Sequence, residues 1–309
     1  MAKKTTQKLL EELDERIEKV KSSEKFKEIM EFFSKNFHNY SYKNILLIQM
    51  QCPNAKLVKG YKQWKELDRY VLPREKRKEK REVRTDPIRI LAPQFYFKTV
   101  KEINKSNQEE IKKAKEKAEQ YSTYKIEEKN NKVILKQEKT YFKYVNVYDI
   151  SQTAGKPIPS MDLNLKDNFG RLLQPLHEFS SQLDIDVEFK TLSEDLRGYS
   201  KKDIIVIDSN SNDTEKTSVW IHELAHELLH NKEDRIKLSR EIKEMEAEAV
   251  SFIVMKHYDI EIKSDKYLAL YKKDYNLKKS LKRIHQVSTK IIEYCDNWLA
   301  DENEKEMIV

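Results

Sequence analysis

The chain has 309 residues, of which 37% are charged and 38% are hydrophobic. Its mean hydropathy is -0.84, but this share of apolar residues excludes a disordered chain, and the length predicts two domains. No apolar run approaches the length of a membrane span, and four glycines exclude a glycine-rich phosphate loop. Because there is no secretory signal and only Cys52 and Cys295 are cysteines, we expect a cytoplasmic protein with reduced thiols and no membrane partner.

Charge is divided unevenly along the chain. Residues 1–150 carry a net charge of +13 and residues 151–309 a net charge of -6, which together give the overall +7. Net charges of opposite sign predict that the two halves have different functions, and that the basic half binds a polyanion.

The basic half begins with helical patterns. Apolar residues recur at helical spacing from Thr6 to Asn36, a second helix is predicted to end before Pro53, and a third helical stretch surrounds Trp64. A dense basic run from Arg74 to Arg84 follows. The next segment, IRILAPQFYF, predicts a strand because β-branched and aromatic residues dominate it.

The remainder of the basic half alternates between helix and strand patterns. The Lys/Glu-rich residues 101–129 predict an exposed helix with i,i+4 ion pairs, whereas residues 132–135 and 141–150 predict strands. The segment SQTAGKPIPSMD, which contains one glycine and two prolines, predicts an interdomain linker.

Aromatic rings are interleaved with the positive charge of this half. They belong to Tyr40, Tyr42, Tyr61, Trp64, Tyr70, Phe95, Tyr96, Phe97, Tyr141, Phe142, Tyr144 and Tyr148. Cations along the backbone and rings under the bases are the combination that holds single-stranded nucleic acid. The residues alone leave a second interpretation open, in which the rings fill a core and the lysines keep the surface soluble.

The acidic half contains VWIHELAHELLH, a segment with apolar residues around most of a helix. His222 and His226 are four residues apart, so both can bind one metal ion, with Glu223 turned toward the open coordination position. This is the pattern of zinc-assisted hydrolysis, although two core histidines without metal are the alternative. His230 lies about 12 Å along the axis from His222, too far for the same ion, and is predicted to be a hydrogen-bonded helix-end residue.

A zinc site with two histidines and a carboxylate needs a third ligand, and a second helical segment supplies Glu244, Glu246 and Glu248. We assign Glu244 as the ligand, Glu248 as an acceptor that orients a ligating histidine, and Glu246 as the exposed member. Spacing leaves the choice among the three open, and all three could instead form a solvated acidic stripe.

A strand is also predicted ahead of the metal helix, at Asp203–Asn210. An extended peptide substrate can pair with the edge strand of a sheet beside such a helix by adding a strand to it. No side chain is identified that would stabilise an oxyanion, because His257 and Tyr258 belong to no motif.

The segments HELAHELLH and EMEAEAVSF resemble the IrrE/ImmA group of gluzincin-type metallopeptidases and the related C-terminal domain of ArdC antirestriction proteins. The resemblance covers roughly residues 165 to 260. It implies zinc ligands at His222, His226 and Glu244 and a general base at Glu223.

The segments YSYKNILLIQMQCP, VKGYKQWKELDRYV, ILAP and VYDISQTAGKPIP resemble the N-terminal, single-stranded-DNA-binding domain of the ArdC family. The family pattern falls on Tyr40, Ser41, Asn44, Gln49, Trp64 and Arg69. One departure is the glycine-free LPREKRKEKREVRTDP, where relatives have a short basic turn with glycines. With the charge pattern added, the predicted DNA-binding residues are Tyr40, Tyr42, Lys43, Asn44, Trp64, Arg69, Arg74, Lys76, Arg77 and Lys78.

We therefore expect an α+β protein of two domains. Residues 1–155 would form a basic single-stranded-DNA-binding domain with a helical insert at 101–129, and residues 160–309 a mostly helical, zincin-like metallopeptidase domain with a small sheet and C-terminal helices. The expected function is that of a DNA-binding zinc (Zn2+) metallopeptidase that cleaves a protein partner such as a repressor. The alternative is a single-stranded-DNA-binding antirestriction protein of a mobile element whose metal site is structural or regulatory. Glu223 favours the peptidase, because a structural site needs no general base.

Overall fold

The computed structural model describes Glu15 and residues 23–35, 39–80, 83–158, 169–193, 196–230, 238–260 and 276–308. The chain divides into two compact units, one formed by residues 89–146 and the other by the described residues before and after them. The N-terminal half is α+β and the C-terminal half is mostly helical with a small sheet, as the sequence predicts. None of the described helices has an apolar stretch that would let it span a membrane.

The larger unit begins with short elements that alternate between helix and strand. They are α1 (Ser23–Phe33), α2 (Tyr42–Gln51), β1 (Val58–Gly60), α3 (Tyr61–Glu66), β2 (Arg69–Val71) and α4 (Arg74–Glu79). The hydroxyl of Ser41 accepts a hydrogen bond from the backbone N–H of Asn44 and so caps α2. Of the helix predicted from Thr6, most residues before Ser23 lie outside the described part of the chain.

The smaller unit is built on two long strands. β3 (Ile88–Asn104) is followed by α5 (Gln108–Gln120), β4 (Tyr124–Lys129) and β5 (Lys132–Asp149). In the sheet, β5 lies between β1 and β3 and also pairs antiparallel with β4. Asn130 and Asn131 join β4 to β5 with positive φ angles of 47° and 58°, as a two-residue type I′ turn requires.

The helix predicted for residues 101–129 is wrong in extent. Only α5 is helical, because the residues before it continue β3 and the residues after it form β4. As predicted, α5 is mostly exposed and has an i,i+4 ion pair between Lys113 and Glu109. Its inner face contributes to a small core made of Ile103, Ile111, Ala114, Val133 and Leu135. The two strands predicted at 132–135 and 141–150 are one continuous strand, β5.

The predicted linker is partly ordered. Its first residues form a 3-10 turn, Ile150–Gln152, and a short strand, β6 (Thr153–Gly155), which pairs antiparallel with β2. The buried carboxylate of Asp149 fixes the turn by accepting a hydrogen bond from the backbone N–H of Ser151 at 3.0 Å. Residues 159–168 lie outside the described part of the chain.

The C-terminal half places a small sheet beside long helices. After a 3-10 turn (Phe169–Leu172) come α6 (Leu173–Gln182), β7 (Asp186–Lys190), β8 (Gly198–Ser200), β9 (Ile204–Asp208), α7 (Asp213–Leu229), α8 (Arg240–His257) and α9 (Leu277–Ile308). The sheet has the order β7-β9-β8, with β7 parallel and β8 antiparallel to β9. The strand predicted at Asp203–Asn210 is therefore central, and the edges of this sheet are β7 and β8.

Helix α8 packs against both α7 and α9 and is buried along most of its length. On the other side of α7, the indole Nε1 of Trp220 donates a hydrogen bond to Ser180 Oγ of α6 at 3.1 Å. The helix that carries the two predicted metal-binding histidines is thus fixed from two sides.

Candidate metal centre

Helix α7 positions the two histidines. It begins at the Asn212 cap, whose side-chain oxygen accepts a hydrogen bond from the backbone N–H of Glu215 at 3.0 Å. Its buried apolar face consists of Trp220, Ile221, Leu224, Ala225 and Leu229. His222 and His226 lie one turn apart beside this face and are half-buried, so their rings point to a common place near α8.

Three side chains of the metal-ligating type meet there. The Nε2 atoms of His222 and His226 are 3.1 Å apart, and Glu244 Oε2 of α8 lies 3.5 Å from the first and 3.6 Å from the second. Ligand atoms about 2.0–2.2 Å from a tetrahedral zinc ion are separated from one another by about 3.3–3.6 Å. The donor set therefore fits one divalent ion with a fourth position left over. Within the described ranges, it is the one such group of His, Cys, Asp or Glu side chains.

Glu248 lies on the far side of the His222 ring. Its Oε2 atom is 3.1 Å from His222 Nδ1, whereas Glu244 faces His222 Nε2. Burial by itself would lower the pKa of His222, but the two carboxylates outweigh it and raise the pKa to about 9. In return, the imidazoles of His222 and His226 hold the pKa of Glu244 well below its usual range. The centre is therefore rich in negative charge and favours a cation.

The expectation that Glu246 is exposed is wrong. Its side chain is 0% exposed, because the face of α8 on which it lies is covered by α9. Ser280 Oγ donates to Glu246 Oε1 at 2.5 Å, and the guanidinium of Arg283 donates to both carboxylate oxygens. Burial opposes ionisation, but His230, Arg283 and Ser280 together lower the pKa of Glu246. It is thus an ionised carboxylate within the core.

His230 connects this carboxylate to the metal centre. It is the C-cap of α7 and is buried, and burial lowers the pKa of its ring. His230 Nδ1 lies 3.2 Å from His226 Nδ1, and His230 Nε2 lies 3.3 Å from Glu246 Oε2. A continuous chain of polar contacts therefore runs from His226 through His230 and Glu246 to Arg283.

Glu223 directly follows His222 and is half-buried. His257 and Tyr258 lie at the other end of α8, about 20 Å along the axis from Glu244. His257 Nε2 is 3.3 Å from the carboxylate of Asp296, to which the Tyr258 hydroxyl donates at 2.8 Å. These two side chains therefore do not reach a substrate held at the centre.

The predicted DNA-binding residues separate into a buried and an exposed set. Trp64 is 0% exposed, and its Nε1 donates to the carbonyl oxygen of Tyr148 at 3.0 Å. The prediction that Trp64 stacks on a base is therefore wrong, because its ring fills the core. The Tyr40 hydroxyl donates to the carbonyl oxygen of Val58 at 2.9 Å, and burial raises its pKa to about 12.

Two of the predicted arginines stabilise the fold. Arg69 Nε donates to Thr153 Oγ1 at 3.0 Å, which ties β2 to β6. Arg77 is 7% exposed and its guanidinium carbon lies 5.4 Å from the ring centre of Tyr148. Asn44 is buried as well. Arg77 and Asn44 are therefore not accessible to a phosphate backbone, whereas Arg69 is half-buried.

The cationic part of the predicted interface does reach the surface. Arg74, Lys76 and Lys78 are exposed on α4, although Arg74 Nη2 lies 3.1 Å from Asp86 Oδ1. Tyr42 and Lys43 are half-buried. Large exposed rings are found near it in the chain at Tyr61 and Tyr70, and on β3 and β5 at Phe95, Tyr96, Phe97, Tyr141 and Phe142.

Ser280 and Arg283 are functional candidates that the sequence did not reveal. They follow Glu246 by 34 and 37 positions and belong to no motif. The available signal was indirect: Glu246 lies between the apolar residues Met245 and Ala247, and a carboxylate in such a setting requires a cationic partner.

Two family models match the chain. Residues 1–148 match the model described as the N-terminal domain of anti-restriction factor ArdC. Residues 181–295 match the peptidase model described as the IrrE N-terminal-like domain. The second match contains α7, α8 and every side chain of the metal centre.

An uncharacterized protein of Bacillus anthracis, pXO2-81, is 27% identical over 339 aligned positions, which cover 96% of this chain and 54% of that protein. The chain thus spans about half the length of this relative. Two crystal structures of antirestriction ArdC protein from the R388 plasmid align with 14% identity. The metal-free form has a TM-score of 0.39 and covers 86% of both chains, and the Mn(II)-bound form has a TM-score of 0.41 and covers 84% of this chain and 85% of that one.

Proposed function

We propose that this chain, which joins an ArdC-type N-terminal domain to an IrrE-like domain, is a zinc-dependent peptidase that cleaves a protein partner and binds single-stranded DNA. The observation that carries the peptidase is the approach of His222 Nε2, His226 Nε2 and Glu244 Oε2 to within 3.6 Å of one another. Three ligands leave a position for water or substrate, whereas structural zinc sites usually close all four positions with Cys or His.

Glu223 is the proposed general base. It lies next to His222 on α7 and is not part of the donor set. A bound zinc ion would supply Lewis acidity, which polarises the scissile carbonyl and acidifies a water molecule. The Glu223 carboxylate accepts a proton from the attacking water and delivers it to the leaving nitrogen.

The ligating histidines are held in the tautomer that metal binding needs. When Nε2 supplies the lone pair, the proton of each ring is on Nδ1. His222 then donates to Glu248, and His226 donates to His230 Nδ1, which leaves the proton of His230 on Nε2 for donation to Glu246. One ligand is therefore oriented by a carboxylate directly, and the other through an intervening imidazole.

The proposed substrate is an extended peptide paired with strand β8. This strand is an edge of its sheet and packs against α7. Gly198 allows the close approach, because a Cβ atom there would lie only 2.4 Å from Val219 Cγ1 of α7. Pairing with β8 would place the peptide backbone beside the metal helix.

Binding of single-stranded DNA is supported by the net charge of +13 in residues 1–150 and by exposed rings beside lysines. The second candidate function, a cytoplasmic antirestriction protein with a structural or regulatory metal site, is favoured by the match to the ArdC model. This second function does not require the Glu223 carboxylate, and we therefore rank it below the peptidase.

The proposal is tested by measuring zinc content together with cleavage of a panel of host repressors, with and without single-stranded DNA. Wild-type protein is expected to hold about one zinc per chain and to cleave a repressor, whereas Glu223→Gln keeps the zinc and does not cleave. A protein that holds zinc and protects DNA from restriction, but whose protection is unchanged by Glu223→Gln, would support the second function instead.

A further inference from the structure

The middle of the smaller unit exposes aromatic side chains to solvent. We call residues 95–102 of β3 and 139–143 of β5 the aromatic ribbon. Phe95 is 61% exposed, Tyr96 47% and Phe142 55%. Every residue of the ribbon is exposed, so neither face of these strands is used by the core.

The ribbon is also open along one side. The pairing of β5 with β4 ends at Gln137, and its pairing with β1 begins at Val147. Between these positions β5 has β3 as its neighbour. The Tyr96 and Tyr141 rings meet edge to face with centres 5.8 Å apart, so rings of the two strands form a joint surface rather than isolated side chains.

Positive charge accompanies the rings. Residues 89–146 contain fourteen Lys and Arg but eight Glu and no Asp. Lys98, Lys139 and Lys143 of the ribbon are exposed and make no ion pair within the described ranges. Lys125 Nζ lies 3.9 Å from the ring centre of Phe97. Cations next to accessible rings complement a strand that has a phosphate backbone and unpaired bases.

We propose that the aromatic ribbon is the surface on which the protein binds single-stranded nucleic acid, with bases stacked on Tyr96 and Tyr141 and phosphates near Lys98, Lys139 and Lys143. Side chains alternate between the two faces of a strand, so these three lysines lie on the same face as the two tyrosine rings, which contact each other. The proposal rests on the proposed binding of single-stranded DNA and specifies its location. Trp64, the ring that the sequence pattern favoured, is enclosed in the core. The ribbon rings can stack on unpaired bases, whereas the bases of a duplex are already stacked on one another.

The test uses the full-length protein and a fluorescent oligodeoxythymidylate of about 20 nucleotides, long enough to cover a typical single-strand site. Binding is followed by fluorescence anisotropy at low salt. Tyr96→Ala/Tyr141→Ala is expected to weaken binding at least tenfold, because each lost stack alone accounts for several-fold in affinity. Tyr96→Phe/Tyr141→Phe keeps both rings and is expected to bind like the wild type.

A matched control removes two exposed tyrosine rings elsewhere. Tyr61 and Tyr70 are 62% and 57% exposed and lie in the region that the sequence pattern favoured. Tyr61→Ala/Tyr70→Ala is expected to bind like the wild type. Thermal melts and zinc content should be the same for all variants, since the changed side chains lie on the surface.

The possible failures are distinguishable. Wild-type protein that does not bind the oligonucleotide at 50 mM salt, where phosphate contacts are strong, would overturn single-strand binding itself and the ribbon with it. Wild-type binding that survives Tyr96→Ala/Tyr141→Ala, or that is lost in Tyr61→Ala/Tyr70→Ala, would overturn the ribbon alone. Equal affinity for a duplex of the same length would contradict stacking.

Discussion

The metal centre and the aromatic ribbon differ in the solvent exposure of their side chains. In the metal centre, Glu246 is fully buried and contacts His230, Ser280 and Arg283. On the ribbon, Phe95 is 61% exposed. A catalytic constellation, which we propose for the metal centre, needs fixed geometry, and buried hydrogen bonds supply it. A surface for a flexible nucleic-acid strand, which we propose for the ribbon, needs accessible rings.

The difference has consequences for mutagenesis. Changes in the buried network should alter metal affinity and folding stability together, because the same bonds serve both. Changes on the ribbon should alter nucleic-acid binding and leave stability unaffected.

The largest effect is expected for Glu244→Ala, which removes the proposed carboxylate ligand. Stoichiometric zinc binding should be lost, as measured by elemental analysis after gel filtration. Glu241→Ala, in the exposed first turn of the same helix, is the control and should retain zinc. Our assignment is wrong if Glu248→Ala empties the site and Glu244→Ala does not.

The next largest effect is expected on folding stability, when the cation is removed from the buried pair of Glu246 and Arg283. Arg283→Met leaves the Glu246 carboxylate buried without its partner, so the free energy of unfolding should fall by about 3–5 kcal/mol. Lys282→Met, at the exposed neighbouring position, should change it by no more than about 0.5 kcal/mol. Urea denaturation measures both. The double change Glu246→Met/Arg283→Met should recover much of the loss, and a double variant as unstable as Arg283→Met would contradict the pair.

Interrupting the chain of polar contacts between Glu246 and His226, which we call the relay, should weaken metal binding without abolishing it. His230→Phe retains the ring volume but cannot accept the proton of His226 Nδ1, and zinc affinity should fall about 10–100-fold. Competition with a chelator gives this affinity. His230→Gln, which can still hydrogen-bond, should recover part of the loss. Wild-type affinity in His230→Phe would show that the relay does not orient the ligand.

Trp64→Phe should change stability and not DNA binding. It removes the hydrogen bond to the Tyr148 carbonyl oxygen and leaves unfilled space where the buried indole was, so the free energy of unfolding should fall by about 1–3 kcal/mol. Anisotropy with the oligonucleotide should be unchanged. If the variant binds the oligonucleotide more weakly and is as stable as the wild type, Trp64 belongs to the nucleic-acid interface and our assignment of its ring to the core is wrong.

The smallest effect is expected from the ribbon lysines. Changing Lys98, Lys139 and Lys143 to Gln should reduce the slope of log affinity against log salt by about 2, since each contact with a single strand contributes about 0.7. Binding titrations at several salt concentrations measure the slope. An unchanged slope would mean that the phosphates lie elsewhere.

The sequence predicted the meeting of His222, His226 and Glu244 better than it predicted which aromatic rings are exposed, and the reason is local geometry. Four-residue spacing on a helix determines that His222 and His226 share a face, so the motif itself contains the geometry. The place of Glu246 could not be obtained in this way. Whether it is exposed depends on α9, whose Arg283 is 37 positions away in the sequence.

Aromatic residues carry no comparable signal. Trp64 and Phe95 both occur among basic residues, but one is completely buried and the other is 61% exposed. The difference arises because Trp64 is covered by the end of β5, where Tyr148 accepts its hydrogen bond, while Phe95 lies in the part of β3 where both faces are open. Composition predicted rings with cations, and only tertiary packing distinguishes core rings from surface rings.

The most direct test of the metal centre is the position of the ion itself. In crystals of zinc-loaded protein, anomalous scattering at the zinc edge should give one peak about 2.0–2.2 Å from His222 Nε2, His226 Nε2 and a carboxylate oxygen of Glu244. Glu248 and His230 should lie behind the two rings, on their Nδ1 atoms, without touching the ion. A peak bound by Glu246 or Glu248, or no peak between the two histidines, would contradict the account.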